Sequence, residues 1–369
     1  MYVRLLLRNI KRTLEHFGAD YDEIVRLHGR ILVRSNSAVE VASRLANVFG
    51  ISSVSPALET SSGLEDVVAK SVFLADGALG DGNSFAVECT RVGKHPYSSG
   101  DICREVGRRV LEAFGEERGL HVDLGTPDVH LGVEVRGNSA YVYKEVIDGG
   151  GGFPLGSQGR VVGLLSGGVD SAVASWLVMK RGAIVRMVYF DISPFIGDAA
   201  VTRVVAVARV LADWAVGFAR QLHIVPYGDA LKTIVTQCPQ RLTCVLCKRM
   251  MYRIAERLVE RMIAKGIATG EALGEQASQT LHNLMILSSA VSKYPIHRPV
   301  FGFDKAETER LARRIGVYEP SNEQAGVCRA VPKKPATKAK LKDVLAAEAE
   351  LDINGMIEAS VKELKMLTL

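Results

Sequence analysis

Residues 161–171 read VVGLLSGGVDS. A mainly apolar run stops at Ser166-Gly167-Gly168, and a helical pattern follows from Val169. Glycine has no Cβ, so the chain can turn sharply there and come close to a ligand. A helix that begins behind such a turn points its unpaired N–H groups back at it. A strand, a bare turn and a helix in this order favour a phosphate site.

The polar side chains of the turn limit which kind of ligand it can bind. Ser166 and Ser171 add hydroxyls, whereas the carboxylate of Asp170 would repel a phosphate unless Mg²⁺ lay between them. The stretch is not a Walker A motif, because no Gly-Lys-Ser/Thr follows, and it is not a dinucleotide G-x-G-x-x-G motif. A tight turn without a ligand is the alternative. The agreement of strand, turn, helix and serines favours the nucleotide.

The chain around this turn has two halves of different pattern. From residue 159 onward, apolar strands alternate with helices, which predicts a parallel sheet covered on both faces. Ligands of such sheets bind beyond the carboxyl ends of the strands, where the turn lies. The first half mixes short strands and helices and predicts a small α+β fold, with its first strand at MYVRLLLRN (1–9). The glycines of GGGGFPLG (149–156) predict a hinge or linker between the halves.

The size and composition of the chain limit the number of domains and the class of protein. With 369 residues, 47% hydrophobic and 24% charged, the chain can form two or three domains. No apolar run reaches the length of about 18 residues that a membrane helix needs, and the charged N-terminus does not resemble a signal peptide. We therefore expect a cytoplasmic protein with no membrane partner. The net charge of +5 permits a polyanionic partner without requiring one.

In a cytoplasmic protein the six cysteines are thiols or metal ligands rather than disulfides. Cys244 and Cys247 have C-x₂-C spacing, which suits a shared metal, an iron–sulfur cluster or a redox disulfide. Cys328 lies far away in the sequence. Cys89 and Cys103 fall within a predicted strand and helix, and we expect them to be packed as small apolar residues.

Four stretches resemble a known family. SGGVDS (166–171) resembles the PP-loop of ATP pyrophosphatases. The other stretches resemble the tRNA 4-thiouridine synthetases, a family of tRNA sulfurtransferases, and they are TGEALGEQASQTLHNL (269–284), RPVFGFDKAETERLARRIG (298–316) and FAVECTRVGKHPYSSGDICREVG (85–107). The last of these is similar to a THUMP domain, an RNA-binding module. The resemblance covers about residues 60–345.

The resemblance implies an α/β fold in which an N-terminal α+β part, ferredoxin-like plus THUMP, precedes a Rossmann-like parallel-sheet PP-loop domain. The implied boundaries are a ferredoxin-like domain at 1–59, a THUMP domain at 60–148, a glycine-rich linker at 149–158, a PP-loop domain at 159–330 and a basic, helical C-terminal extension at 331–369.

Members of the family use ATP to adenylate O4 of a tRNA uridine and then replace that oxygen with sulfur. The resemblance implies catalytic roles for Asp170, Lys305 and Cys328. The implied ATP-binding residues are Ser166, Gly167, Gly168, Asp170, Ser171, Gly270, Glu271 and Gln279, with Gln276, Ser278 and Thr280 also lining the pocket. Family members act as homodimers, so we expect a homodimer here.

The resemblance leaves the source of the sulfur open between several possibilities. Bacterial members use a persulfide on an appended rhodanese domain, and no such domain follows in this sequence, so we expect an enzyme of the rhodanese-less type. Cysteine-rich members bind a 4Fe–4S cluster through three cysteines, which here would be Cys244, Cys247 and Cys328. Structural zinc with Cys238 as fourth ligand is an alternative, as is a redox or persulfide pair. The sulfur donor would be sulfide or a persulfide protein.

Two basic segments are candidates for RNA contact. In TRVGKHPYSSG (90–100), basic, hydroxyl and aromatic side chains are interleaved. Such side chains suit contact with the RNA phosphate backbone and stacking on its bases. The THUMP resemblance implies that the RNA-binding residues are Arg91, Lys94, Ser98 and Ser99. The second segment repeats arginine every four residues, and flanking glutamates predict an exposed, salt-bridged helix face rather than an RNA site. Its arginines are Arg249, Arg253, Arg257 and Arg261.

Two other functions are compatible with a PP-loop. One is a different PP-loop enzyme, either a small-molecule synthetase that uses ammonia or another tRNA-modifying enzyme. The THUMP-like half and the three cysteines disfavour the small-molecule synthetase. The other is a tRNA-binding protein without catalysis, which the intact SGGVDS motif disfavours.

Overall fold

The computed structural model describes residues 1–369, and they form two compact units. The larger unit comprises Met1–His16, Val48–Gly50 and Gly151–Leu369. The smaller unit comprises Phe17–Asn47 and Ile51–Gly150.

The strands and helices follow one another along the whole chain. The strands are β1 (Glu23–Leu27), β2 (Arg30–Arg34), β3 (Ser53–Val54), β4 (Leu58–Ser61), β5 (Ser84–Val92), β6 (His121–Val122), β7 (Val129–Arg136), β8 (Ser139–Tyr143), β9 (Ile147–Asp148), β10 (Arg160–Leu164), β11 (Ile184–Asp191), β12 (Gln221–Pro226), β13 (Ile267–Ala268), β14 (Ile296–His297) and β15 (Lys365–Thr368). The helices are α1 (Tyr2–His16), α2 (Ala38–Ala46), α3 (Leu64–Asp76), α4 (Ser99–Arg118), α5 (Val169–Lys180), α6 (Ala199–Asp213), α7 (Gly228–Gln237), α8 (Thr243–Arg261), α9 (Leu281–Ser288), α10 (Lys305–Ile315), α11 (Tyr318–Asn322), α12 (Leu341–Ala349) and α13 (Ile353–Lys362). None of these helices has the length and apolar character needed to cross a membrane.

In the smaller unit the main sheet has five strands in the order β4-β8-β7-β5-β6. Helices α3 and α4 contribute Val67, Ile102 and Val106 to a core that also contains Leu131 and Val133 of β7. Strands β1 and β2 form a separate antiparallel hairpin, and β3 pairs with β9. This mixed arrangement confirms the predicted α+β fold of the first half.

In the larger unit the sheet order is β14-β13-β10-β11-β12-β15. The first five strands run parallel and β15 is antiparallel at the edge. One face packs against α7, α8, α9, α12 and α13, and the other against α5, α6, α10 and α11. The predicted parallel sheet covered on both faces is therefore confirmed. The turn after β10 lies at the carboxyl edge of the sheet, near its centre.

The strand predicted at residues 1–9 is wrong, because this segment is the start of helix α1. The buried side chains of α1 recur at helical spacing, and they are Leu5, Asn9, Ile10, Thr13 and Leu14. Arg8, Lys11 and Arg12 lie between these positions, so one mainly apolar helix face packs inward. Asn9 Nδ2 donates to the Leu155 carbonyl at 3.0 Å, which fixes the helix on the larger unit.

The glycine run at 149–152 permits close backbone packing. A Cβ on Gly149 would lie 2.2 Å from the Ile51 carbonyl oxygen. A Cβ on Gly152, where φ is +74°, would lie 1.9 Å from the Lys180 carbonyl oxygen. Both glycines are therefore required by these contacts, and Gly152 is required by its left-handed backbone as well.

The C-terminal residues cover the arginine face of α8. Arg249 is 1% exposed, and its Nε and Nη2 donate to Glu348 of α12 at 2.8 and 2.9 Å. Arg253 donates to the same carboxylate at 2.6 and 2.8 Å. The predicted exposed face is thus wrong for Arg249, because an acidic partner far along the chain covers it. Arg257, by contrast, is half-exposed and pairs with Glu358 at 2.7 Å.

We expect Glu348→Gln to lower the free energy of unfolding by about 3 kcal/mol, because it leaves two arginines without their buried counter-charge. Urea unfolding followed by the fluorescence of Trp176 and Trp214, both in the larger unit, measures the change. The matched control is Glu358→Gln, whose side chain is 63% exposed; this variant should lose less than about 1 kcal/mol. Equal losses in the two variants would contradict the buried pair.

Candidate active site

The two glycines of the SGGVDS turn differ in whether the fold requires them. Gly167 has φ of +78°, and a Cβ there would lie 3.1 Å from the backbone of Val204 in α6. The fold itself therefore requires Gly167. At Gly168 φ is −87°, and the nearest atom to a Cβ would be Ser166 Oγ at 3.5 Å, an ordinary contact. Packing within the protein does not require Gly168.

The hydroxyls of the turn form a small network. Ser171 is buried, and its Oγ accepts from the Ser166 N–H at 3.1 Å and donates to the Gly168 carbonyl at 2.9 Å. Ser166 Oγ accepts from the Gly168 N–H at 3.3 Å, and the residue is exposed. The buried hydroxyl of Ser171 therefore stabilises the turn, while Ser166 lies on its exposed side.

Asp170 and Lys305 come together across 135 residues of sequence. Asp170 lies in the first turn of α5, and Lys305 opens α10 directly after the capping residue Asp304. Lys305 Nζ donates to Asp170 Oδ1 at 3.3 Å, and both side chains remain partly exposed. A lysine in a first helical turn opposes the helix dipole. The carboxylate of Asp170 offsets that repulsion.

Gly270 and Glu271 follow β13 and pack directly against the turn. A Cβ on Gly270 would lie 2.4 Å from the Ser171 nitrogen, so the two backbones touch. Glu271 is 5% exposed and accepts from Arg298 Nε at 2.9 Å, from Lys248 Nζ at 3.4 Å and from the Tyr252 hydroxyl. Burial alone would raise the pKa of Glu271, but these donors together hold that pKa below its usual range. Glu271 is therefore a fixed carboxylate that joins the loop after β13 to α8.

The loop after Glu271 holds a buried amide with an open acceptor. Gln279 is 5% exposed, and its Oε1 has no hydrogen-bond partner in the structure. Its backbone is fixed, because its N–H donates to the Gln276 carbonyl at 2.8 Å and its carbonyl accepts from Gly274 at 3.0 Å. A buried acceptor without a donor is costly. Gln279 is thus poised to accept from a ligand.

The neighbouring polar residues of this loop differ in exposure and contacts. Ser278 is buried and Gln276 is exposed. Thr280 caps α9 by accepting from the Asn283 N–H at 3.2 Å, and its hydroxyl donates to the Thr337 carbonyl at 2.7 Å. Thr280 therefore has a structural task, as an ordinary polar residue at the start of a helix would.

The cysteines Cys244, Cys247 and Cys328 are neighbours. Cys244 and Cys247 occupy the first turns of α8 at a spacing that places both on one side of the helix. Burial raises the pKa of Cys247 to about 12, and the nearby Cys328 and Cys244 thiols also raise it. Burial and the nearby Cys328 likewise raise the pKa of Cys244. All three are free thiols, and no three His, Cys, Asp or Glu side chains in the chain are gathered as a ready-made metal site.

Cys238 faces elsewhere. Its thiol donates to the Ala347 carbonyl of α12 at 3.6 Å. Burial raises its pKa, with further contributions from Glu348 and Glu350. If Cys238 were the fourth ligand of a zinc ion, as in the alternative, its thiol would have to give up the hydrogen bond to the Ala347 carbonyl.

The RNA-binding candidates lie in the smaller unit, around the start of α4. Lys94 is exposed in the loop after β5, and Arg91 Nη1 donates to the Gly93 carbonyl at 3.3 Å. Ser98 forms a capping box with Asp101, which the spacing of the two residues could have indicated. Ser99 begins α4 and is partly buried. Of the four candidates, only Lys94 combines full exposure with a charge.

Comparison with known families gives three matches along the chain. A family described as Thiamine biosynthesis protein (ThiI) matches residues 156–353. A THUMP domain matches residues 62–145, and the ThiI ferredoxin-like domain matches residues 1–55.

Two curated relatives match nearly full length. The chain is 41% identical to the probable tRNA sulfurtransferase of Methanosarcina acetivorans, over 100% of this chain and 89% of that protein. It is 40% identical to the probable tRNA sulfurtransferase of Caldanaerobacter subterraneus subsp. tengcongensis, over 96% of this chain and 91% of that protein.

Two solved structures are similar to the chain. The crystal structure of a 4-thiouridine synthetase–RNA complex with bound ATP aligns with a TM-score of 0.87 at 32% identity, covering 99% of this chain and 94% of that one. PH1313 from Pyrococcus horikoshii aligns with a TM-score of 0.66 at 26% identity, covering 85% of this chain and 93% of that one.

The glycine turn generates a paired prediction. We expect Gly167→Ala to destabilise the fold by about 1–2 kcal/mol, because it forces a left-handed backbone on a residue with a Cβ. Gly168→Ala should change stability by less than about 1 kcal/mol, yet weaken the binding of an ATP analogue about tenfold or more, because its Cβ would enter the phosphate site. Urea unfolding and calorimetric titration measure the two quantities. Unchanged ATP affinity in Gly168→Ala would contradict this placement of the phosphates.

Proposed function

Because this chain belongs to the tRNA sulfurtransferase family, we propose that it makes 4-thiouridine in tRNA by adenylating a uridine with ATP and replacing the activated oxygen with sulfur. The contact between Lys305 Nζ and Asp170 Oδ1 at 3.3 Å carries this proposal. It joins the glycine turn to the segment at 298–316, so that the two groups implicated in ATP use share one site.

The chemistry needs two displacements. In the first, O4 of the uridine attacks the α-phosphorus of ATP, the bond to the bridging α–β oxygen breaks, and pyrophosphate leaves while the N3 proton passes to solvent. In the second, hydrosulfide adds to C4, the C4–O4 bond breaks, and AMP leaves with the uridine oxygen. The sum converts uridine, ATP and hydrosulfide into 4-thiouridine, AMP and pyrophosphate. Adenylation is required because the carbonyl oxygen is otherwise a poor leaving group.

The turn supplies the electrostatics for the first step. The N–H groups at the start of α5 and the hydroxyl of Ser166 would bind the departing pyrophosphate. Asp170 would hold Mg²⁺ against the phosphates, which would free Lys305 to neutralise charge on the transferred phosphoryl group. Gln279 Oε1 would accept a hydrogen bond from the nucleotide, which would satisfy its open acceptor. Gly270 permits the loop to approach the turn, and Glu271 fixes that loop.

For the second step we propose a 4Fe–4S cluster on Cys244, Cys247 and Cys328. The chemistry of the donor set fits, since free thiols are the ligands that iron–sulfur clusters use, and Cys238 is engaged elsewhere. The three thiols are not gathered as a metal site in the structure, so they would have to draw together around the cluster. Bound in this way, the cluster would leave one iron open to carry sulfide. Persulfide-dependent transfer with structural zinc is the alternative, in which Cys328 would receive sulfur from a persulfide protein.

The partners follow from the same assignment. We propose that Lys94 and Arg91 contact the tRNA backbone, with Ser98 and Ser99 near it at the start of α4. A homodimer acting in the cytoplasm agrees with the family resemblance.

Metal analysis tests the sulfur proposal. After anaerobic purification we expect about four irons per chain with matching acid-labile sulfide, lost in Cys244→Ala. Cys238→Ala is the matched control and should keep its iron, because that thiol donates to a backbone carbonyl. One zinc and no iron, lost in both variants, would contradict the cluster and favour the alternative.

Cys328→Ala tests the catalytic assignment. We expect tRNA binding and tRNA-dependent release of pyrophosphate within about twofold of the wild-type values, and a loss of 4-thiouridine of about 100-fold or more, comparable to the loss of a nucleophile or cluster ligand. Gel retardation of thiolated tRNA by an organomercury matrix measures the product. Normal thiolation in this variant would refute the role of Cys328.

A further inference from the structure

The segment that carries Cys328 forms no helix or strand and is held in place by hydrogen bonds to its neighbours. No helix or strand occurs between α11 and α12. The Arg329 N–H donates to the Phe195 carbonyl at 2.8 Å, and the Ala336 N–H donates to the Arg241 carbonyl at 2.9 Å. The position of Cys328 therefore depends on a few bonds from this segment to its neighbours.

The side chain of Asn283 makes three hydrogen bonds, two of them to the segment that carries Cys328. Its side chain is 0% exposed, and Nδ2 donates to the Ala336 carbonyl at 2.8 Å while Oδ1 accepts from the Ala339 N–H at 3.0 Å. The second Nδ2 hydrogen goes to the Ala277 carbonyl at 2.9 Å. Ala277 belongs to the loop that holds Gln279. One amide group thus holds the nucleotide loop and the Cys328 segment together.

A second contact joins the same two segments. The Thr280 hydroxyl donates to the Thr337 carbonyl at 2.7 Å. Since both amide hydrogens and the oxygen of Asn283 are used, a shift of the Ala277 peptide pulls on the peptide at Ala336. The nucleotide loop and the Cys328 segment cannot move independently while these bonds last.

We propose that Asn283 is a positioning residue that couples occupancy of the nucleotide site to the placement of Cys328, so that sulfur is ready when the uridine is adenylated. This inference rests on the proposed function. The coupling matters because water can also attack C4 of the adenylated uridine, which returns uridine and releases AMP. If Cys328 is misplaced, ATP is cleaved without sulfur being incorporated.

The test is the number of AMP molecules formed for each 4-thiouridine. The full-length, anaerobically purified protein is supplied with tRNA, ATP and sodium sulfide. We expect a ratio near one for the wild type and a ratio about tenfold higher for Asn283→Asp, which replaces the donors to Ala277 and Ala336 with an acceptor. A merely structural role would lower the active fraction, reduce both products equally and leave the ratio unchanged.

Asn9→Asp is the matched control. Asn9 is 4% exposed and donates Nδ2 to the Leu155 carbonyl at 3.0 Å, in the same unit but on helix α1. We expect this variant to keep the wild-type ratio even where stability falls. If Asn283→Asp does not fold, Thr280→Val removes the bond to Thr337, together with the cap on the Asn283 N–H, and should also raise the ratio.

The outcomes separate the two proposals. A wild-type protein that forms 4-thiouridine, with an unchanged ratio in whichever of the two variants folds, overturns the coupling role of Asn283 alone. A wild-type protein that forms no 4-thiouridine from ATP and sulfide overturns the proposed function and this inference with it.

Discussion

The close approach of two backbones at the carboxyl edge of the parallel sheet is the constraint on which the site depends. The backbone of Gly270 touches that of Ser171 and leaves no space for a Cβ, and Gly167, with its left-handed backbone, lies close against α6. These contacts hold the start of α5 and the loop after β13 as one surface. The parallel strands place both segments at the same edge, because ligand sites of such sheets form beyond the carboxyl ends. Asp170 and Lys305 meet at this surface, and the loop that continues from Gly270 carries Gln279.

Buried charge positions the helix that carries the C-x₂-C cysteines. Helix α8 carries Cys244 and Cys247 at its start, and its position is fixed by ion pairs of Lys248 with Glu271 and of Arg249 with Glu348. A buried ion pair contributes little net stability but is costly to break. Here it specifies which way α8 lies relative to the nucleotide loop. The C-terminal residues are therefore part of the architecture of the site.

Much of this was predictable from the sequence. The alternation of apolar strands and helices predicted the parallel sheet, and SGGVDS located the tight turn between β10 and α5, because both signals are local. The strand at residues 1–9 was wrong because apolar residues interrupted by arginines fit a period of two about as well as a helical period. The burial of Arg249 could not be read locally, since its partner lies 99 residues away. The open acceptor of Gln279 and the bonds of Asn283 likewise depend on tertiary contacts.

In the proposed reaction, AMP is transferred to the uridine oxygen before sulfur replaces it. A tRNA that carries ¹⁸O at uridine O4, reacted with ATP and sulfide in ordinary water, tests this by mass spectrometry of the AMP. We expect one ¹⁸O in AMP for each 4-thiouridine formed, since the C4–O4 bond breaks and AMP leaves with that oxygen. AMP without the label, formed in step with 4-thiouridine, would contradict it.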